Sequence, residues 1–164
     1  MARKGKFSLE EATEQAISIM KGLHGVEGSV ICGSYRRGLD YVGDLDIVVI
    51  PAEDDLETTI ASIHSMSTEI LASGTKLVRT ILPSGMQGDF YIAPRRLVGS
   101  FTLFLTGSKG FNIKCRARAK EMGFRLSQYG LIDEHGNEVD VTELGILEKL
   151  GLLNQFAAPA ARSI

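Results

Sequence analysis

Two short stretches decide how this chain folds: residues 33–38 read GSYRRG, and residues 43–49 read GDLDIVV. The apolar residues 29–32, SVIC, predict a strand that leads the chain into the Gly33-Ser34 turn. Residues 45–50 predict a second strand, which ends at Pro51. The sequence therefore predicts a strand, a polar turn and a second strand that begins with acidic residues.

Asp44 and Asp46 stand two positions apart at the beginning of the second predicted strand. Because side chains alternate between the two faces of a strand, both carboxylates are expected on one face, with Leu45 pointing into the core. Adjacent carboxylates repel unless a cation lies between them, and oxygen ligands of this kind suit Mg²⁺, with Mn²⁺ as a substitute. The alternative is an acidic pair at a strand edge that only aids solubility, which is the commoner meaning of an isolated DxD sequence.

The residues around this acidic pair suit a phosphate group. Gly33 and Gly43 allow close approach of the backbone, and the hydroxyl of Ser34 adds a hydrogen-bond donor. The guanidinium of Arg37 offers bidentate geometry for phosphate oxygens. A phosphate-binding turn shortly before two carboxylates is more specific than either part, and it predicts phosphoryl transfer assisted by metal ions.

A third aspartate, Asp89, begins another predicted strand, residues 89–93, which read DFYIA. If this strand neighbours the first acidic strand, Asp89 faces the same pocket as Asp44 and Asp46. It would then complete the oxygen ligands of a metal site. Taken alone, Asp89 is as consistent with a surface carboxylate as with a ligand.

The rest of the chain alternates helical and strand patterns and changes character after Pro94. Ser8 is expected to cap a first helix that continues toward Gly25. Spacing and turn residues predict, in order, a helix at 56–65, strands at 69–72 and 77–82, helices at 97–105 and 111–122, a hairpin of residues 124–132 and 137–141, and a helix beginning at Thr142. Residues 157–161, AAPAA, are expected to be a loose tail.

The composition, with 44% hydrophobic and 23% charged residues among 164, is that of an ordinary globular protein, and a monomer is expected. No apolar run reaches the roughly 18 residues that a membrane-spanning helix needs, and no apolar signal segment follows the basic N-terminus. The protein is therefore expected to be intracellular, without a membrane partner and not secreted. The two cysteines, Cys32 and Cys115, form no disulfide scaffold and no CxxC metal site.

Positive charge is concentrated in one segment although the net charge is −2. Residues 95–125 contain eight Lys or Arg residues and one acidic residue, Glu121. A cationic segment beside an acidic remainder can bind a polyanion while metal ions bind elsewhere. The alternative is a solvated helix face without a partner.

These stretches resemble the family X DNA polymerases, which belong to the nucleotidyltransferase superfamily. The resemblance is carried by residues 33–49, by GDFYIAP at 88–94, and above all by LFLTGSKGFNIKCRARAKEMGFRLSQYGLID at 103–133. It implies an α+β fold, with a nucleotidyltransferase palm in residues 1–94, where helices cover one face of a mixed sheet, and a small α+β thumb in residues 95–164. A chain with only these two parts is similar to the small viral members of the family.

The resemblance also implies roles for individual residues. Asp44 and Asp46 would bridge two Mg²⁺ ions, and Asp89 would bind the catalytic ion near the primer 3′-hydroxyl. The residues implied to hold the incoming dNTP are Gly33, Ser34, Arg37, Gly43, Phe104, Leu105, Gly107 and Asn112. The residues implied to bind gapped or nicked DNA are Lys109, Lys114, Arg116, Arg118 and Lys120.

The implied function is template-directed addition of dNMP to a primer, in short-gap filling during DNA repair. Two alternatives stay open: a nucleotidyltransferase with another acceptor, such as an RNA end, a protein or a small molecule, and a DNA-end binder without catalysis. The sequence departs from the family's pattern at several places. Phe104-Leu105 replaces a common Tyr-Phe pair, and Gln87 stands where an arginine can orient the third aspartate.

Overall fold

The computed structural model describes residues 6–164 and contains two compact units, one ending at Arg95 and one beginning at Arg96. Each unit has its own cluster of buried apolar side chains. Both units contain helices and strands, so the α+β class predicted from the sequence is confirmed. Within the described residues, no helix combines the length and apolar character that crossing a membrane would require.

The first unit is built around a mixed sheet. Its elements are β1 (Phe7–Ser8), α1 (Leu9–Gly22), β2 (Val26–Ile31), α2 (Gly33–Arg36), β3 (Tyr41–Val42), β4 (Asp44–Pro51), α3 (Leu56–Met66), β5 (Glu69–Ser73), β6 (Leu77–Ile81) and β7 (Gln87–Ile92). Five strands pair in the order β2-β4-β7-β6-β5, and β1 pairs with β3 as a separate ribbon. Only the β4–β7 pairing in the five-stranded sheet is parallel, and it connects two strands that are far apart in sequence.

Helix α1 begins where the sequence predicts. The Ser8 hydroxyl accepts a hydrogen bond from Glu11 N at 3.1 Å, and the Glu11 carboxylate accepts one from Ser8 N at 3.1 Å. This reciprocal capping satisfies amide groups that the first turn of a helix cannot pair internally. Ala12 and Ile19 lie on the buried side of the helix. The apolar side of α1 therefore faces the sheet while its charged side faces solvent.

The strand pattern divides the sheet into an apolar face and a polar face. Leu45 and Ile47 are fully buried in the same cluster as Ile19 of α1 and Ile63 of α3. The two helices thus cover one face of the sheet, as predicted. Since side chains alternate along β4, Asp44 and Asp46 are left on the opposite face. Burial of the apolar face is what determines which way the acidic side chains point.

The second unit is a small α+β assembly. Its elements are α4 (Val98–Thr106), α5 (Lys109–Glu121), β8 (Arg125–Ser127), β9 (Gly130–Ile132), β10 (Glu138–Asp140), α6 (Glu143–Lys149) and α7 (Leu153–Phe156), flanked by 3₁₀ turns at Arg95–Leu97 and Pro159–Arg162. The three strands form an antiparallel sheet of order β10-β9-β8. The core of this unit is formed by Leu103, Phe111, Leu131 and Ile146 with their neighbours.

The predicted hairpin differs in detail from the observed strands. Residues 124–132 were expected to form one arm, but they form two strands, β8 and β9, which pair with each other. The chain turns between them, where Ser127 Oγ accepts a hydrogen bond from Tyr129 N at 3.1 Å. Gly130 has a φ of 118°, which favours glycine. This local turn chemistry overrides the continuous strand pattern of the sequence.

The prediction of a loose C-terminal tail is wrong. The side chain of Arg162 is fully buried. Its guanidinium donates hydrogen bonds to Phe156 O at 2.8 Å, to Ala157 O at 3.0 Å and to the Glu143 carboxylate at 2.8 Å. The alanine-rich composition of residues 157–161 gives no sign of this, because the ordering depends on one arginine beyond that segment and on an acid in α6.

Candidate active site

Parallel pairing of β4 and β7 brings the predicted acidic residues together. Asp46 lies directly beside Asp89 in the register, and Asp44 lies beside Gln87. Neighbouring strands are about 4.8 Å apart, so Asp44, Asp46 and Asp89 form one acidic cluster on the face of the sheet that α1 and α3 leave open. Asp44 is exposed, Asp46 is half-buried, and Asp89 is 4% exposed. The cluster therefore extends from solvent into the protein.

Crowding of negative charge perturbs this cluster. Burial first, and then the negative charges of Asp44 and Asp89, raise the pKa of Asp46 to about 7, although Arg79 and Arg37 oppose this shift. Partial desolvation also raises the pKa of Asp44, although its side chain reaches solvent, and the charge of Asp89 adds to this. Carboxylates that resist ionisation together are stabilised when a cation neutralises them.

The donor chemistry of the cluster fits a divalent cation, but the ligands are not assembled into a finished coordination shell. Mg²⁺ and Mn²⁺ prefer carboxylate oxygens, which all three aspartates supply. Across residues 6–164, no three Asp, Glu, His or Cys side chains already converge as a set that could hold a metal ion. A bound cation would have to draw the three carboxylates into its coordination shell.

Residues of the predicted phosphate-binding turn lie next to this cluster. Gly33 begins α2 with a φ of 63°, and a Cβ atom at this position would lie 3.0 Å from Asp46 Oδ2. Arg37 caps the other end of α2, where desolvation lowers its pKa and the nearby Asp46 carboxylate opposes that shift. Ser34 is half-buried in α2, and Gly43 is exposed immediately before β4, with open space where a Cβ would stand. The turn and the acidic cluster thus form one continuous surface.

Asp89 is held by two donors, one of which the sequence reasoning missed. Arg79 Nε donates to Asp89 Oδ1 at 3.0 Å from the neighbouring strand β6, and Gln87 Nε2 donates to the same oxygen at 3.1 Å. The hydrogen bond to Asp89 and the negative charge of Asp89 raise the pKa of Arg79. The nearby Tyr91 raises the pKa of Arg79 further through its charge and a hydrogen bond. The sequence gives one indication of this role, because Arg79 is the single charged residue in the strand LVRTI. The sequence does not identify Asp89 as the partner of Arg79, because that pairing depends on strand register.

The predicted nucleotide-contacting residues of the second unit lie around the turn between α4 and α5. Phe104 is partly exposed near the end of α4, Leu105 is half-buried, and Gly107 ends that helix with a φ of 63°. The Asn112 side-chain amide donates to Phe104 O at 2.8 Å, which ties the second turn of α5 to the end of α4. These four residues are therefore neighbours within the unit.

Helix α5 separates the five predicted DNA-binding residues into two groups. Lys109, Arg116 and Lys120 recur at helical spacing along one exposed stripe. Lys114 and Arg118 lie on another side of the helix and contact their own unit. Lys114 Nζ lies 5.9 Å from the centre of the Phe156 ring, and Arg118 Nε donates to Leu150 O at 3.0 Å. All five side chains are exposed, and the two groups differ in that Lys114 and Arg118 also contact their own unit.

Comparison with known proteins agrees with this arrangement. The family model of the DNA polymerase beta palm matches residues 8–93, which is more than half of the chain, and the family model of the DNA polymerase beta thumb matches residues 101–163. The chain belongs to family X of the DNA polymerases. The palm match contains the whole acidic cluster, and the thumb match contains α5 and the buried Arg162.

The chain is also similar to part of a bacterial DNA polymerase. The chain is 34% identical over 104 residues to the DNA polymerase/3′-5′ exonuclease PolX of Bacillus subtilis (strain 168). The aligned part covers 60% of this chain but only 18% of the Bacillus protein. This chain therefore spans only a small part of the relative's length, and the activities of that longer protein do not transfer with the similarity.

Proposed function

We propose that this family X chain is a metal-dependent, template-directed DNA polymerase that adds dNMP from a dNTP to a primer 3′-hydroxyl, chiefly by filling short gaps during DNA repair. The observation that carries the proposal is the pairing of Asp46 with Asp89 in register, with Asp44 on the same face. Three carboxylates beside a Gly-Ser turn and an arginine are the groups that phosphoryl transfer with bound cations requires.

In this proposal each residue of the palm unit has a defined task. Asp44, Asp46 and Asp89 would hold two Mg²⁺ ions, with Mn²⁺ as a substitute. Activation of the primer hydroxyl and stabilisation of the departing pyrophosphate are the chemistry that such cations supply when bound. Ser34 would donate a hydrogen bond to a terminal phosphate oxygen, and Arg37 would neutralise its charge. The half-buried position of both residues limits competing water around the phosphates.

The thumb unit would hold the polymer and the rest of the nucleotide. Phe104, Leu105, Gly107 and Asn112 surround one turn that is exposed enough to meet a sugar and a base. The cationic side of α5 would bind the phosphates of gapped or nicked DNA, with an affinity that falls as salt is raised. A monomer acting inside a cell is the form in which we expect this activity.

Primer extension tests the proposal directly. Wild-type protein should extend a primer opposite a one-nucleotide gap in the presence of Mg²⁺ or Mn²⁺. Asp89→Asn should lower incorporation by at least about a hundredfold, because it removes one oxygen ligand from the site of charge development. Asp54→Asn is the matched control, since Asp54 is an exposed palm aspartate with a φ of 61°, which asparagine also adopts readily.

The same assay separates the competing functions. Addition to single-stranded DNA or RNA ends without a template would favour a nucleotidyltransferase with another acceptor. Binding of gapped DNA without addition of any nucleotide, in either metal, would favour a DNA-end binder. Each of these outcomes would refute gap-filling synthesis, whereas template-matched extension that Asp89→Asn abolishes would support it.

A further inference from the structure

We propose that Arg79 is a positioning residue that fixes the orientation of the Asp89 carboxylate within the acidic cluster. This inference rests on the proposed function, because it assigns a task within the same site. The arginine acts from β6, a different strand from the one that carries Asp89. It contacts no reacting atom itself and works through the aspartate.

Strand register places Arg79 opposite its partner. β6 and β7 are antiparallel, with Arg79 directly across from Asp89. Directly opposed side chains on one face of an antiparallel pair lie about 4.5–5.5 Å apart at Cβ, so the guanidinium reaches the carboxylate without an unusual rotamer. On its other side, Asp89 is flanked by Asp46 of β4. Asp89 thus lies between an arginine and an aspartate on its two neighbouring strands.

Both donors use the same oxygen of Asp89. Arg79 Nε lies 3.0 Å and Gln87 Nε2 lies 3.1 Å from Oδ1, and no other side-chain donor in residues 6–164 bonds this carboxylate. Two donors on one oxygen fix the plane of the carboxylate and leave Oδ2 as the oxygen that can face a cation. Partners of this kind behind a metal ligand typically control its orientation and basicity.

Only Arg79 of these two donors brings a positive charge. Gln87 is neutral, so it can orient the carboxylate but cannot offset repulsion from Asp44 and Asp46. The Asp89 side chain is 6% exposed, whereas Arg79 is 41% exposed, so the arginine remains hydrated while its partner is desolvated. A nearly buried carboxylate without this partner would be costly.

The experiment compares Arg79→Met, which keeps the length of the aliphatic stem, with Arg79→Lys, which keeps the charge. Lys76→Met is the matched control, because Lys76 is an exposed cation immediately before the same strand. We expect Arg79→Met to lower kcat for gap filling by roughly 10–100-fold at saturating metal, with KM for dNTP nearly unchanged. Arg79→Lys should recover part of that loss, and Lys76→Met should behave as wild type.

A second measurement does not depend on activity. The unfolding temperature in EDTA should fall by several degrees in Arg79→Met, and it should fall much less when the same change is made in an Asp89→Asn background. Binding of Mn²⁺ to the free protein, followed by electron paramagnetic resonance, should not weaken in Arg79→Met, because the acidic cluster loses a competing positive charge. A lower kcat with unchanged Mn²⁺ binding in Arg79→Met would show that the Asp89 carboxylate is misplaced and that the metal is still bound.

Three results would overturn the inference: unchanged kcat in Arg79→Met, an equal fall in unfolding temperature in both backgrounds, or loss of Mn²⁺ binding in parallel with kcat. An inactive wild-type protein would instead refute the proposed polymerase function. In that case the unfolding comparison and the Mn²⁺ measurement would still decide whether Arg79 supports Asp89. The two failures are therefore distinguishable.

Discussion

At the scale of single residues, the three carboxylates of the acidic cluster repel one another, and a bound cation would reduce this repulsion. Asp46 shows this most clearly, because burial and two neighbouring carboxylates raise its pKa to about 7. The ordinary pKa of an aspartate is near 4, so folded Asp46 retains a proton through a pH range in which the unfolded chain has released it. The contribution of Asp46 to the free energy of unfolding therefore decreases as pH rises from about 4 to about 7.

Asp46→Asn should consequently stabilise the metal-free protein while inactivating it. At pH 8 in EDTA we expect a gain on the order of 1–2 kcal/mol in the free energy of unfolding, after allowance for solvent screening. The gain should shrink as pH is lowered from 7 toward 4, where Asp46 is protonated in both states. Urea denaturation at several pH values measures it. A difference from wild type that does not change with pH would contradict this account.

Gly33 offers a second residue-scale prediction. Its φ of 63° is unfavourable for other residues, and an added Cβ would meet Asp46 Oδ2 at 3.0 Å. Gly33→Ala should therefore cost roughly 1–3 kcal/mol of stability and lower nucleotide incorporation by displacing the carboxylate. Gly38→Ala is the control, because Gly38 has a φ of 77° but no neighbouring atom within 4 Å of the point where a Cβ would lie. If both variants lose equal activity, contact with Asp46 is not the cause.

At the scale of elements, the five cations of α5 differ in the contacts that they make within their own unit. Helical spacing places Lys109, Arg116 and Lys120 on one side, whereas Lys114 and Arg118 contact Phe156 and Leu150. The number of basic residues in the sequence does not distinguish these five side chains. The tertiary contacts of each side chain distinguish three cations of one exposed stripe from two exposed cations that also bind within the unit.

This separation predicts a difference in salt dependence. Replacing Lys109, Arg116 and Lys120 with glutamine should weaken DNA binding and reduce the slope of log affinity against log salt by up to about three. Replacing Lys114 and Arg118 should change the slope little and lower the thermal stability instead. Fluorescence anisotropy with gapped DNA between low and moderate salt measures the slopes. Equal slopes for the two variants would contradict the assignment.

At the scale of the whole molecule, each unit has a separate core and a separate source of order. The second unit depends on Arg162, which is fully buried and ion-paired with Glu143. Ser108 at the beginning of α5 is joined to this tail as well, because Ser108 N donates to Arg162 O at 3.0 Å. The chain end therefore stabilises the helix that carries the proposed DNA contacts.

Arg162→Met should destabilise the protein by about 3–5 kcal/mol, since it removes a fully buried guanidinium that pairs with Glu143 and donates to two backbone carbonyls. Thermal unfolding followed by circular dichroism measures this loss. The double variant Arg162→Met, Glu143→Gln should recover part of it, because the partly buried negative charge of Glu143 is then absent. Wild-type stability of the single variant would show that the buried ion pair does not organise the tail.

The sequence alone determined most of the elements and the acidic motifs, because helical and strand periodicity, caps and turn residues act over a few neighbouring positions. Ser8 fixed the start of α1, and alternation along β4 fixed which face Asp44 and Asp46 share. The tertiary structure decided that β4 and β7 are parallel neighbours, and that Arg79 reaches Asp89. It also decided that Arg162 orders the tail. These contacts join residues on different elements. They stabilise the protein only once strand register and burial have brought those residues together, so the local sequence does not reveal them.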